Sequence, residues 1–256
     1  MKILNVINMK KIVFPFLGMV MLGLSSCIKP GDNIQCFNDL GMPAIVGDPY
    51  DQYPPVPIIY TPSDKPGGEP VVVPELMNEL FSEFYGGEAI WTYFCINFDQ
   101  PSSNGYPTAY DFQYGKIDMV SPQGTTGGAS TSNEYNFPIE DMGLQGFIKD
   151  VIFIILAHKA PEDQKFTYEM TFDRDVKLDD TIILTLRAKK NGEGTKGERN
   201  IGYIFAFNLR NLTYYSSGKT VNVSFQYKTG VDDTGKDVYK LYTDNNGNSV
   251  LPLTFE

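Results

Sequence analysis

Few side chains in this sequence have chemical reach: one histidine, His158, and three cysteines, Cys27, Cys36 and Cys95. A Ser-His-Asp or Cys-His arrangement, or a histidine-rich zinc site, would have to run through His158. That residue follows the apolar run Val151 to Ala157 and precedes Pro161, as a residue at the end of a strand would. Hydrolytic and zinc chemistry of the common kinds is therefore disfavoured. Glycoside hydrolysis needs two carboxyl groups roughly 5–9.5 Å apart across a cleft. Glu140-Asp141, Asp179-Asp180 and Asp232-Asp233 supply acids, but neighbouring acids at turns are usually solvated and nothing selects one pair. Asp244-Asn245-Asn246-Gly247-Asn248 looks like part of a calcium loop. An EF-hand loop, however, needs glycine at its sixth place and glutamate at its twelfth, where Ser249 and Phe255 stand. A hairpin turn explains these residues better. Glycine-rich phosphate loops are missing from the sequence. The residues thus point to no catalytic group, no cofactor and no metal.

Cys27 has a different chemistry. Met9-Lys10-Lys11 forms a short basic start, and an apolar stretch runs from Ile12 to Leu24. As a helix that stretch would cover roughly 20 Å, short of the ~30 Å hydrocarbon core. It reads as the core of a signal peptide, not a permanent span. Leu24-Ser25-Ser26-Cys27 then has the form of a lipobox, in which the cysteine thiol takes a diacylglyceryl group and becomes the new amino terminus. Several acyl chains anchor stably where one does not. Residues 1–26 are expected to be a lipoprotein signal peptide and 27–36 a tether. Ile28-Lys29-Pro30-Gly31 separates Cys27 from the first acid, Asp32. That leans towards the periplasmic face of the outer membrane over the cell surface.

Loss of Lys2, Lys10 and Lys11 with the signal peptide lowers the formal charge by three, from −10 to −13. Such a surface repels phosphate backbones, so nucleic acid is not an expected partner. Cys36 and Cys95 remain, and in an oxidising compartment they either form a disulfide or stay as two buried thiols.

The elements that must position these groups are strands. Lys165 to Asp173 puts Phe166, Tyr168, Met170 and Phe172 on one face and Thr167, Glu169, Thr171 and Asp173 on the other. Thr220 to Lys228 alternates the same way. Further strands fit Leu40 to Val46, Val56 to Tyr60, Glu88 to Phe98, Thr108 to Val120, Gly146 to His158, Thr181 to Lys189, Asn200 to Asn208 and Val238 to Thr243. Dense prolines between Gly47 and Pro74 exclude regular helix and long central strands there. Only Glu75 to Tyr85 has helical spacing. The uncharged Gly124 to Asn133 stretch reads as a loop or linker. An all-β protein follows, with a small barrel-like domain over 37–123 and an antiparallel β-sandwich over 134–256.

Two stretches of the first half, Gly87-Glu88-Ala89-Ile90-Trp91-Thr92-Tyr93-Phe94 and Tyr110-Asp111-Phe112-Gln113-Tyr114-Gly115-Lys116-Ile117, carry a family likeness. So do Asp179 to Arg187 and Gly202 to Leu209 in the second half. With the lipobox, these resemble the NigD-like lipoproteins. That resemblance implies an N-terminal domain of OB type and a C-terminal β-sandwich, and no general activity. OB-type domains bind oligosaccharides and oligonucleotides on one face. Trp91, Tyr93, Tyr110 and Tyr114 are accordingly the candidate platform for a protein or glycan partner. The expected role is non-enzymatic binding or assembly at a membrane reached through Cys27. An envelope polysaccharide enzyme with paired carboxylates is the alternative.

Overall fold

The computed structural model describes residues 34–38, 40–48, 56–63, 68–77, 86–99, 101–175, 181–213 and 220–254. The residues expected to form the signal peptide and the lipobox lie outside this set. Strands dominate the described residues, which divide into two compact units.

The first unit takes in the described residues up to Met119, together with Gly146–Lys149. Its strands are β1 (Ile34–Cys36), β2 (Met42–Val46), β3 (Ile58–Thr61), β4 (Glu69–Val72), β5 (Ala89–Asn97) and β6 (Thr108–Lys116). Five of them close on themselves in the order β5-β2-β3-β4-β6, and β6 returns to β5. All pairings in the ring are antiparallel except β4–β6, a parallel joint with one register pair, Val72↔Thr108. This is the connectivity of an OB barrel. β1 lies on the edge of β5 that β2 also uses, so Ile34–Cys36, within the stretch expected to be a tether, is a strand of this unit; the rest of that stretch lies outside the described residues. Ala44, Val46, Ile59, Val71, Ile90, Phe94, Ile96 and Ala109 fill the barrel, with Val73 and Leu76 beside them.

Prolines keep β3 and β4 to four residues each, yet β4 forms around Pro70. Pro70 opposes Tyr60, and the Val73 amide bonds the Pro57 carbonyl. Counting along the ladder, Pro70 then falls at a position where no N–H is directed to β3. The helix expected over 75–85 begins as a 3-10 turn, Pro74–Leu76; most of its remainder lies outside the described residues.

The second unit comprises the described residues of 120–145 and 150–254. One sheet has the order β7-β13-β10-β9, from β7 (Met119–Val120), β13 (Glu198–Asn208), β10 (Val151–Pro161) and β9 (Asp141–Ile148). A stretch expected as one strand, Gly146 to His158, is instead a hairpin. Lys149, at φ 51°, turns β9 into β10. The other sheet runs β15-β14-β12-β11-β8, from β15 (Asp237–Leu241), β14 (Thr220–Val231), β12 (Ile182–Asn191), β11 (Lys165–Asp173) and β8 (Gln123–Thr125). The last strand, β16 (Leu251–Thr254), pairs with β14. Two pairings in this sheet, β12–β14 and β8–β11, are parallel. Between β12 and β14 the chain crosses to the other sheet as β13, so it re-enters in the same direction. A short helix, α1 (Arg210–Thr213), follows β13. Residues 124–133 contribute β8 and a 3-10 turn to this unit. Phe153, Phe207, Phe225 and Tyr227 are its largest fully buried side chains.

Candidate functional site

On β5, Ile90, Phe94 and Ile96 point into the barrel, so alternation turns Trp91, Tyr93, Cys95 and Asn97 outward. Their register partners form two rows across three strands, Ile34–Asn97–Thr108 and Cys36–Cys95–Tyr110. Cys36 and Cys95 are joined as a disulfide, with a Cα–Cα distance of 4.0 Å. The first row and Tyr110 line a pocket of about 380 Å³. Three of the four expected platform residues, Trp91, Tyr93 and Tyr110, thus share the outer face.

Tyr114 does not join them. Asp111 adopts φ 54° and the β5–β6 register shifts between Tyr93 and Cys95. This bulge inserts one residue and reverses the alternation after Tyr110. Phe112 and Tyr114 therefore pack against the core, their rings stacked at 5.8 Å. Trp91 and Tyr93 are half-buried. The Trp91 indole N–H donates to the Leu40 carbonyl at 3.2 Å. A Cβ on Gly41, whose φ is +67°, would collide with Trp91 Nε1 and lie 2.8 Å from Tyr93 Cε1.

OB domains customarily bind on their second and third strands, here β3 and β4. In this chain residues 146–149 lie there. Lys149 Nζ stands 3.7 Å from the Tyr60 ring centroid. A Cβ on Gly68 would come within 2.9 Å of Ile148 Cγ2, and one on Gly146 within 3.1 Å of Pro62 Cγ. The outer face of β5 and β6 carries the aromatic and polar groups instead.

In the sandwich, His158 sits within β10, short of the strand's end at Pro161. It is fully buried, stacked 4.2 Å from Phe166. Nδ1 must donate to the Pro138 carbonyl at 2.7 Å, because a carbonyl only accepts, and Nε2 then accepts from the Tyr168 hydroxyl at 2.7 Å. Burial lowers its pKa to about 4, against the opposing effect of the Pro138 bond. Burial also raises that of Tyr168. Both ring nitrogens are engaged within the core, an arrangement that fixes the imidazole in place.

Sequence alternation misses a second polar group. Glu169 and Thr171, placed on the wet face of β11, are buried. Glu169 accepts from the Ser130 and Thr131 hydroxyls and the Thr131 amide, and lies 3.8 Å from Arg187 Nη1. Arg187 donates to Thr171 Oγ1 at 2.9 Å and to the Tyr239 hydroxyl at 2.8 Å. Tyr239 donates in turn to Asp237, which pairs with buried Lys228 at 2.6 Å. Segment 128–132 supplies the cover, since the Gly128 carbonyl also takes the Thr171 hydroxyl at 2.8 Å. The available signal was complementary charge at a cross-strand position, Glu169 opposite Arg187.

Among the described residues, the acid pairs are engaged locally or exposed. Asp141 accepts from the Tyr227 hydroxyl at 3.2 Å, Glu140 is exposed, and Asp179-Asp180 lies outside the described residues. The Thr234 hydroxyl donates to Asp232 and the Asn248 side chain to Asp244, and backbone amides of the same turns add to them, which lowers both pKa values. Asp244 to Asn248 is thus a self-satisfied turn. Among the described residues there is no group of three or more His, Cys, Asp or Glu that could hold a metal.

With this geometry in hand, similarity to known proteins can be weighed. No family model and no curated protein matches the sequence. Solved structures do match. An uncharacterized protein from Parabacteroides merdae aligns with a TM-score of 0.66 at 18% identity, over 85% of this chain and 99% of its own. The chain shares its fold with that protein. A protein of unknown function DUF1344 from Bacteroides vulgatus aligns at 0.50 and 16%, over 86% and 96%. A NigD-like immunity protein from Bacteroides caccae aligns at 0.46 and 11%, over 89% and 99%. At 18% and 16% identity the likeness to the first two is one of fold.

Proposed function

We propose that this chain is a lipid-anchored protein of the outer membrane that acts by binding, not catalysis. It presents the outer face of β5 and β6 to a protein or glycan partner. One observation carries the reading: Trp91, Tyr93 and Tyr110 share a face with Asn97 and Thr108, and a pocket of about 380 Å³ opens beside Tyr110. Aromatic faces beside amide and hydroxyl groups suit sugar rings and peptide side chains alike. Attachment rests on the lipobox cysteine, Cys27, and the Cys27→Ser chain is expected to lose radiolabelled fatty acid and membrane association.

The deciding experiment is crosslinking and recovery from intact envelopes, run beside a glycan array probed with the purified full chain. A specific partner or glycan captured by the native chain and lost in Tyr110→Ala supports the reading. Capture that survives Tyr110→Ala and Trp91→Ala together places the contact elsewhere and sinks it.

A further inference from the structure

The disulfide joins two chemically unequal sulfurs. Cys36 and Cys95 are register partners. The Phe37 amide bonds the Phe94 carbonyl at 2.8 Å, which makes the pair a narrow, non-hydrogen-bonded one. Cys36 lies exposed on a three-residue strand, whereas Cys95 is 3% exposed within the nine-residue β5. Asn38 Nδ2 donates to Cys95 Sγ at 3.5 Å. On the same outer face, Ile34, Asn97 and Thr108, one row along, line the pocket together with Tyr110 of the cysteines' own row.

We propose that this disulfide is a thiol-exchange site of fixed direction, taking a low-molecular-weight thiol at Cys36. The incoming thiol first loses its proton to solvent. Its thiolate attacks Cys36 Sγ, a new S–S bond forms there, and Cys95 Sγ leaves with the electron pair of the old bond. The thiol is the only co-reactant needed. Access selects Cys36 as the sulfur attacked, and exchange rates also follow the stability of the leaving thiolate. Burial alone disfavours a thiolate at Cys95. The Asn38 N–H, already directed at that sulfur, offsets this by hydrogen-bonding the charged form. The pocket gives the new substituent on Cys36 a place to lie. β1 is then held to β5 by its short ladder and by the packing of Phe37 on Phe94.

The test uses the purified full chain in native buffer at pH 8 with reduced glutathione, stopped at early times with iodoacetamide. Tandem mass spectrometry of the peptides holding Cys36 and Cys95 reads the outcome. The expected result is glutathione on Cys36 over Cys95 by roughly tenfold or more, with the alkyl group on Cys95. Asn38→Ala, with its Trp91 fluorescence unchanged as proof of folding, is expected to slow exchange several-fold. Glutathione on Cys95, an even division, reaction only in denaturant, or an unchanged rate in Asn38→Ala would each overturn the proposal.

Discussion

Two outer sheet faces in this molecule received opposite treatment. On the barrel, the outer side of β5 and β6 carries aromatic rings, a disulfide and a pocket. On the sandwich, the outer side of β11, β12 and β14 carries Glu169, Arg187 and Lys228, all buried. Strand alternation decides which face a side chain joins, and says nothing of whether another segment will cover it. A charged face can be interior, and an aromatic one can stay in reach of a partner. The charged groups Glu169, Arg187 and Lys228 of the sandwich face are tied to one another and to their neighbours, whereas the barrel face keeps Tyr110 beside a pocket.

Arg187→Met should give the largest effect. It leaves Glu169 without its cation at 5% exposure, which typically costs about 3–5 kcal/mol, read as a lower denaturation midpoint. Acid is the next lever. His158 has a folded pKa of about 4 against 6.5 unfolded, so the unfolded chain binds the extra proton and stability falls with pH. The contribution is intact above pH 6.5 and is lost progressively down to about pH 4, on the order of 3 kcal/mol. Denaturant titrations across that window should show the slope, and His158→Gln should remove it. On the barrel side, Gly41→Ala meets both a positive φ and the Trp91 ring, for a loss of about 1–3 kcal/mol. Trp91 is the chain's single tryptophan, so its fluorescence reports the barrel alone. Tyr110→Ala should be the mildest, within about 1 kcal/mol, while abolishing partner capture. If Tyr110→Ala instead unfolds the barrel, the contrast between the two faces fails.

Strands with one buried and one polar face were legible. β11 forms over Lys165–Asp173 as its alternation requires. β4 was not legible, because Pro70 is tolerable only at a ladder position that no local pattern reveals. Tyr114 shows the same limit at a candidate site. Tyr110 and Tyr114 fall on one side of any regular strand, and only the bulge at Asp111 separates them. For the cysteines, composition left a disulfide and separate thiols equally open, since pairing depends on β1 reaching β5 in a register set by the whole barrel. Burial of Glu169 depended on a glycine- and serine-rich segment with no apolar signal to mark it as a cover.

The parallel joint between β12 and β14 also bears on how the chain is made. As a polypeptide emerges amino end first, β12 is complete well before Thr220, and its edge over Ile182–Leu186 stays bare until β14 arrives. An unpaired edge is a template for pairing with other chains, and such pairing competes with folding while the missing strand is still to come. For a factor that escorts this chain during synthesis or transport, this stretch of backbone is one to shield until β14 docks.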